Sequence, residues 1–181
     1  RVCVRYSLGP GLFITVDGME EPFNEEAALK VETEMRRLVR LKLPLERRRI
    51  SIKEALSFYE QDGQADKAKL LKWRRFSYFD VYQIDGYMDY FYGEMAPDTS
   101  YADVFRVKYV HDGAVVLLMP RSDAPDVPSD YVDLPKLHAV FHQSDEWGKL
   151  MECATVNDLN THIQNGTIRE LVRINEALHD R

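Results

Sequence analysis

Two β-rich runs open the chain, Val2-Cys3-Val4-Arg5-Tyr6-Ser7-Leu8 and Leu12-Phe13-Ile14-Thr15-Val16, with Gly9-Pro10-Gly11 between them. Runs of this kind about a glycine-bearing turn predict an antiparallel pair. The period changes at Asn24. Ala27, Val31, Met35, Leu38 and Val39 recur at helical spacing, while Glu32, Glu34, Arg36, Arg37 and Arg40 fill the other face. Asn24 suits a helix N-cap, Glu25 and Glu26 place carboxylates in the first turn, and the helix should stop before Pro44.

Leu45 to Ile50 reads as a short basic strand. Ser51, with Glu54 three residues on, predicts a capped second helix that Gly63 ends. Ala65 to Trp73 predicts a third, short helix, followed by strands near Tyr78 to Ile84 and Tyr87 to Tyr92. Phe105 to His111 and Ala114 to Met119 flank Asp112-Gly113, a strong hairpin signal. Pro, Asp and Ser dominate from Pro120 to Pro135, as in a boundary or a strap over the surface. Helices are expected over Leu137 to Leu150, Val156 to Ile163 and Ile168 to His179, the last two separated by Asn165-Gly166. This order predicts an α+β fold with a mostly antiparallel sheet and one long amphipathic helix over residues 1–120. A Pro/Asp-rich strap at 121–136 and a helical extension at 137–181 would follow.

With 181 residues, 45% of them hydrophobic, and ten Tyr and eight Phe, the chain has material for a packed core. Its net charge of -6 opposes non-specific nucleic-acid binding by the whole chain, which depends on Lys and Arg neutralising phosphates. Basic residues nevertheless gather in the middle third, at Arg36, Arg37, Arg40, Lys42, Arg47-Arg48-Arg49 and Lys67 to Arg75. They read as solvated faces or as a side turned to an anionic ligand or RNA. Cys3 and Cys153 form no metal-type pair and read as buried, reduced thiols, so a cytoplasmic location is expected. No apolar run is long enough to span a membrane, and no membrane partner is expected. The chain opens on Arg1 and enters a strand at once, which suggests a piece of a longer protein.

The most telling segment is Tyr87-Met88-Asp89-Tyr90-Phe91-Tyr92-Gly93-Glu94-Met95-Ala96-Pro97. It resembles the D-x-C-x-G-x-H-x-P stretch of the second N-terminal domain of threonyl-tRNA synthetases, found also in alanyl-type editing domains. Asp89, Gly93 and Pro97 keep their places, but Phe91 stands at the Cys position and Met95 at the His position. Phenyl and thioether groups cannot replace a thiolate and an imidazole around zinc. The likeness extends through Gly11 to Asp17, Val31 to Leu41, Leu43-Pro44-Leu45-Glu46, Ser51-Ile52-Lys53-Glu54-Ala55 and Gly63 to Lys67, in the same order. It implies that the family's H-x-x-x-H helix would precede Arg1, that the metal site is degenerate at Phe91 and Met95, and that Lys67 and Asp89 match polar pocket positions. Those two are the candidate ligand-binding residues.

The tail, His138-Ala139-Val140-Phe141-His142, then Trp147-Gly148-Lys149 and Val156-Asn157-Asp158-Leu159-Asn160, is similar to the segment that joins such a domain to a P-loop kinase in bacterial uridine kinase-like proteins. That resemblance implies ATP and magnesium for a kinase domain outside this chain, which would be the chain's own partner. It implies no catalytic residue and no cofactor within it. No G-x-x-x-x-G-K-[ST] occurs, since Gly148-Lys149 lacks the earlier glycine.

Other residue patterns allow further chemistry. His138, His142 and Glu146 lie on one helical face, where a metal pair or a structural pair would both fit. Tyr78, Tyr82, Tyr87, Tyr90, Phe91 and Tyr92 make an aromatic patch that would stack a base or simply alternate between core and surface. No Ser-His-Asp or Cys-His set assembles. Three functions therefore stand: an accessory region of a nucleoside kinase that senses a nucleoside or amino-acid ligand, delivers substrate or dimerises; a metal-independent deacylase acting on mischarged tRNA; and an interaction module. Homo-oligomers fit the first and the third.

Overall fold

The computed structural model describes residues 2–16, 18, 23–110 and 113–179. In chain order the elements are β1 (Val2–Leu8), β2 (Gly11–Val16), α1 (Glu25–Arg40), β3 (Glu46–Ser51), α2 (Ile52–Gln61), α3 (Ala65–Leu71), β4 (Tyr78–Ile84) and β5 (Tyr87–Tyr90). There follow a 3-10 turn (Thr99–Ala102), β6 (Arg106–Tyr109), β7 (Ala114–Leu118), β8 (Pro120–Arg121), β9 (Ala124–Pro128), α4 (Pro135–Leu150), α5 (Val156–Asn165) and α6 (Ile168–His179). The fold is α+β with antiparallel sheets, as the sequence predicts. Asp17, the end of the Gly11-to-Asp17 stretch of the resemblance, and His111 and Asp112, parts of the hairpin read over Phe105 to Met119, lie outside the described residues.

The chain divides into two compact units, each made from two stretches: Arg1–Glu46 with Tyr82–Ala139, and Arg47–Val81 with Val140–Arg181. In the first unit a four-stranded sheet runs in the order β1-β2-β7-β6. Alternation along β7 sends its residues to opposite faces. Ala114, Val116 and Leu118 join Phe13 on one face, backed by Tyr6, Tyr131 and Leu134. Val115 joins Phe23 and Ala28 of α1 on the other. Gly11 faces Leu118 across the β2–β7 ladder, and a Cβ there would lie 2.5 Å from Val116 Cγ1, so the close approach of the strands requires glycine.

α1 closes the exposed edge of β6 with side chains in place of a fifth strand. Glu32 Oε2 accepts the Val107 N–H at 2.8 Å, and Arg36 Nη2 donates to Phe105 O at 2.7 Å. The same two residues pair with each other at 2.7 Å, and the Arg36 guanidinium lies over the Phe105 ring. A free strand edge offers donors and acceptors to other chains, and this pair occupies one of each.

Local signals resolve as the residue types dictate. Asn24 Oδ1 accepts the Ala27 N–H at 3.0 Å and Ser51 Oγ the Glu54 N–H at 3.1 Å. Gly63 and Gly166 adopt positive φ where α2 and α5 end. In the second unit Ala55 and Tyr59 of α2, Ala68 and Leu71 of α3, and Phe79 and Val81 of β4 are buried. Trp73 Nε1 donates to Asn157 Oδ1 at 2.9 Å, tying the α3 exit to α5.

Two expectations change. α3 stops at Leu71, since Trp73 and Arg74 close tight turns onto Leu70 O and Leu71 O. Within the stretch read as a strap, β8 and β9 form a small antiparallel hairpin, with Pro120 and Pro128 opposite each other. Two prolines and only five residues in β9 hid that pairing, because proline demotes a strand signal.

Candidate functional site

The loop bearing Phe91 and Met95 hangs from a two-residue hairpin. Asp85 at φ 43° and Gly86 at φ 83° turn β4 into β5, as an Asp-Gly pair at a tight turn should. The sequence carries that Asp-Gly signal between the strands read near Tyr78 to Ile84 and Tyr87 to Tyr92. Met88 of β5 is buried. Asp89 then turns its carboxylate back on its own strand: Oδ1 accepts the Tyr90 N–H at 2.8 Å and Oδ2 the Tyr87 hydroxyl at 3.4 Å. β5 ends at Tyr90, two residues earlier than expected. Burial, with Tyr92 and Asp89 nearby, pushes the Tyr90 phenol above its ordinary range.

Beyond β5 the loop is clamped by a residue that sequence reasoning placed only in an aromatic patch. The buried Tyr82 hydroxyl donates to Gly93 O at 3.2 Å and accepts the Met95 N–H at 3.1 Å. Alternation along β4 sets Tyr82 on the face opposite Phe79 and Val81, and nothing in a single sequence says that this face is covered too or where the hydroxyl lands. The far end of the loop is held by main chain. Leu45 N donates to Pro97 O at 3.0 Å, and Thr99 N to Leu43 O at 3.0 Å. Thr99 Oγ1 donates to Leu38 O at 2.7 Å and accepts the Leu43 N–H at 3.0 Å. Asp98 caps the 3-10 turn through Ser100, whose two hydrogen bonds hold the Asp98 carboxyl below its ordinary value. The Leu43-Pro44-Leu45 and Asp89-to-Pro97 motifs are thus two sides of one backbone bridge.

This clamped frame presents Phe91, 52% exposed, Tyr92, 83% exposed, and Met95, 40% exposed. The frame positions Asp89, Gly93 and Pro97 all serve the loop's own hydrogen bonds. The two positions that face outward offer a phenyl ring and a thioether. A thiolate and an imidazole there would supply two of the three or four ligands zinc requires; these supply none. Among the described residues, no group of three or more His, Cys, Asp or Glu gathers to hold a metal ion. The side chains at the two outward positions of this loop do not fit zinc.

Lys67, the other ligand-binding candidate, belongs to the second unit, whereas Asp89, Phe91 and Met95 belong to the first. Its ammonium lies 5.4 Å from the centre of the buried Tyr59 ring, a cation–π contact within the α2–α3 pair. The other aromatic residues separate: Tyr82 is buried, Tyr87 is exposed, and Tyr90 meets Tyr92 edge-on with ring centres 5.4 Å apart. Tyr78 is covered by the Arg49 guanidinium, which with Arg47 also grips Asp80 at 2.9 Å. Those two cations hold the Asp80 carboxyl down to about 2. Part of the basic stretch is therefore neutralised locally. His138 packs edge-on against Phe13 with ring centres 4.9 Å apart. Cys3 and Cys153 are free, half-buried thiols, and burial together with Asp158 pushes the Cys153 thiol up.

The chain is similar to threonine-tRNA ligases. It is 29% identical over 108 residues to that of Lawsonia intracellularis, 33% over 96 residues to that of Carboxydothermus hydrogenoformans and 25% over 107 residues to that of Geobacter sp.. The matched stretches take in 58%, 49% and 59% of this chain. They cover 17%, 14% and 17% of the relatives, so the chain spans about a sixth of their length. No protein-family model matches. About half of the chain is thus a threonyl-tRNA-synthetase-like domain. Among the described residues no helix is long and apolar enough to cross a membrane.

Proposed function

We propose that this chain is a non-catalytic accessory region, built on a threonyl-tRNA-synthetase-like domain, of a longer protein that phosphorylates uridine or a related nucleoside with ATP and magnesium. The observation that carries the non-catalytic reading is the loop from Asp89 to Pro97: its backbone frame is clamped by Tyr82 and Leu45, while its outward positions are Phe91 and Met95. A scaffold kept in register without donors for a metal suits a domain retained for binding or assembly. The kinase context is supported by the likeness of His138 to Asn160 to the segment that precedes a P-loop kinase domain. In that setting the region senses or delivers a nucleoside, or pairs two copies, and its partner is the kinase domain of the same protein.

The test is ATP-dependent phosphorylation of uridine by the intact protein and by a version lacking residues 1–181. Phosphorylation that falls when the region is removed is the expected result. An intact protein that phosphorylates no nucleoside overturns the reading. Should it instead release amino acid from mischarged tRNA, a metal-independent deacylase takes its place.

A further inference from the structure

The second unit holds a groove of about 800 Å³ walled by α4, the turn after it, α5 and α6. Its apolar wall includes Trp147, Met151 and Leu171. Its polar groups are Gln143 and Ser144 on α4 and Asn175 on α6, beside the Cys153 thiol. Among the described residues, no lining side chain carries a charge, in a chain of which 30% of residues do.

That lining selects among ligands. A phosphate or carboxylate held against this wall would give up part of its hydration and meet no cation among the described residues. A purely aliphatic ligand would leave the amide groups without partners. A flat, uncharged heterocycle satisfies both: its ring packs against the Trp147 indole, and its edge pairs with carboxamides, which carry donor and acceptor side by side. Asn175 Nδ2 donates to Leu171 O at 3.0 Å and to Met151 Sδ at 3.8 Å, so its Oδ1 is what it offers the groove as an acceptor. Gln143 offers both groups. The volume lies within the range of small-molecule sites, about 300 to 1,000 Å³.

We infer that this groove binds an uncharged nucleoside through its base and rejects the corresponding nucleotide. The inference rests on the nucleoside reading above and gives it a place, on the helices that follow the synthetase-like part rather than on the Phe91–Met95 loop.

Calorimetric titration of the 181-residue chain with uridine tests it, with uridine 5′-monophosphate as the charged comparator. Gln143→Leu and Ser144→Trp change exposed positions on α4, so both variants should keep the far-ultraviolet circular dichroism of the parent. The expected result is saturable uridine binding, at least roughly tenfold weaker binding of the monophosphate, and at least roughly tenfold loss in each variant, as 1.4 kcal/mol per hydrogen-bonded group would give. No saturable binding, equal affinity for the monophosphate, or variants that bind as the parent does would each overturn it. Capture of an amphipathic helical peptide without nucleoside binding would reassign the groove to a protein partner and overturn it too. Region-dependent kinase activity without uridine binding here would remove this site and keep the function. Uridine binding without kinase activity would do the reverse.

Discussion

The β2–β7 core of the first unit and the α4–α6 region of the second both draw on aliphatic and aromatic residues, but they bury them to different depths. Four of the five residues of β7 are buried, because α1 covers one face of its sheet and Tyr131 and Leu134 cover the other. No residue of α4 or α5 is buried, and in α6 the buried one described is Leu171. A strand alternates between two faces, so two modest covers seal it; a helix shows one stripe, and three helices around a groove leave that stripe half open. The sealed region holds the fold, and the open one leaves apolar surface exposed.

The strongest way to break this comparison is to shorten a leucine in each region. Leu118 is 1% exposed and Leu159, in the groove, is 37% exposed. Leu118→Ala should cost about 2 to 5 kcal/mol, the range for a filled core site, and Leu159→Ala well under half of that. Chemical denaturation of both variants, with amide exchange to separate the units, checks the pair. Equal losses would mean that the groove is packed as tightly as the sheet.

The edge of β6 comes next. Glu32→Ala leaves the Val107 N–H and the Arg36 guanidinium without their carboxylate, and should cost about 1 to 3 kcal/mol. An opened edge also invites strand pairing between copies, so sedimentation should show stronger concentration-dependent association than the parent shows. Unchanged stability would show that water replaces Glu32 at no cost.

The same contrast explains what could be read from the chain in advance. Asn24, Ser51, Gly63 and Gly166 announce helix ends because caps and left-handed turns are solved within four residues. The β1–β2 and β6–β7 pairs are equally local. The bridge between Leu43-Pro44-Leu45 and Pro97-Asp98-Thr99 joins segments more than fifty residues apart, and its partners are backbone atoms that no residue type reveals. At the candidate site, residue type alone shows that Phe91 and Met95 are not zinc donors; that donors would be expected there is what the resemblance implies. The Tyr82 clamp was not legible, since a strand tyrosine does not disclose what its hydroxyl reaches.

On the second unit's basic strand, acid should erase an interaction that neutral pH preserves. Asp80 is held down to about 2 by Arg49 and Arg47, against an ordinary value of 3.8. A carboxyl depressed on folding contributes stability above its unfolded value and loses it as pH falls through the folded one. Asp80→Asn should therefore be less stable than the parent above pH 3.8, and the gap should close as pH approaches about 2. The effect should be small and fall with added salt, because both guanidinium groups are at least half exposed. Thermal melts across that pH range, at low and high salt, decide it. A gap that persists at the acid end would mean that Asp80 acts through packing rather than charge.

The smallest effect should come from placing zinc-type donors on the loop. Phe91 and Met95 project from the loop, so Phe91→Cys combined with Met95→His should change stability by no more than about 0.5 kcal/mol. Tyr82→Phe, which removes the hydroxyl between Gly93 O and the Met95 N–H, should cost about 1 kcal/mol although it deletes a single oxygen. The order is the reverse of what side-chain volume suggests, because the outward residues contact little and the hydroxyl sets the loop's path. Excess zinc should leave the melting temperature of the double variant unmoved, since two donors fall short of the three or four that hold this ion firmly. A zinc-dependent rise would mean that further donors of this chain stand within reach of the loop, and that the two substitutions alone separate this site from a metal centre.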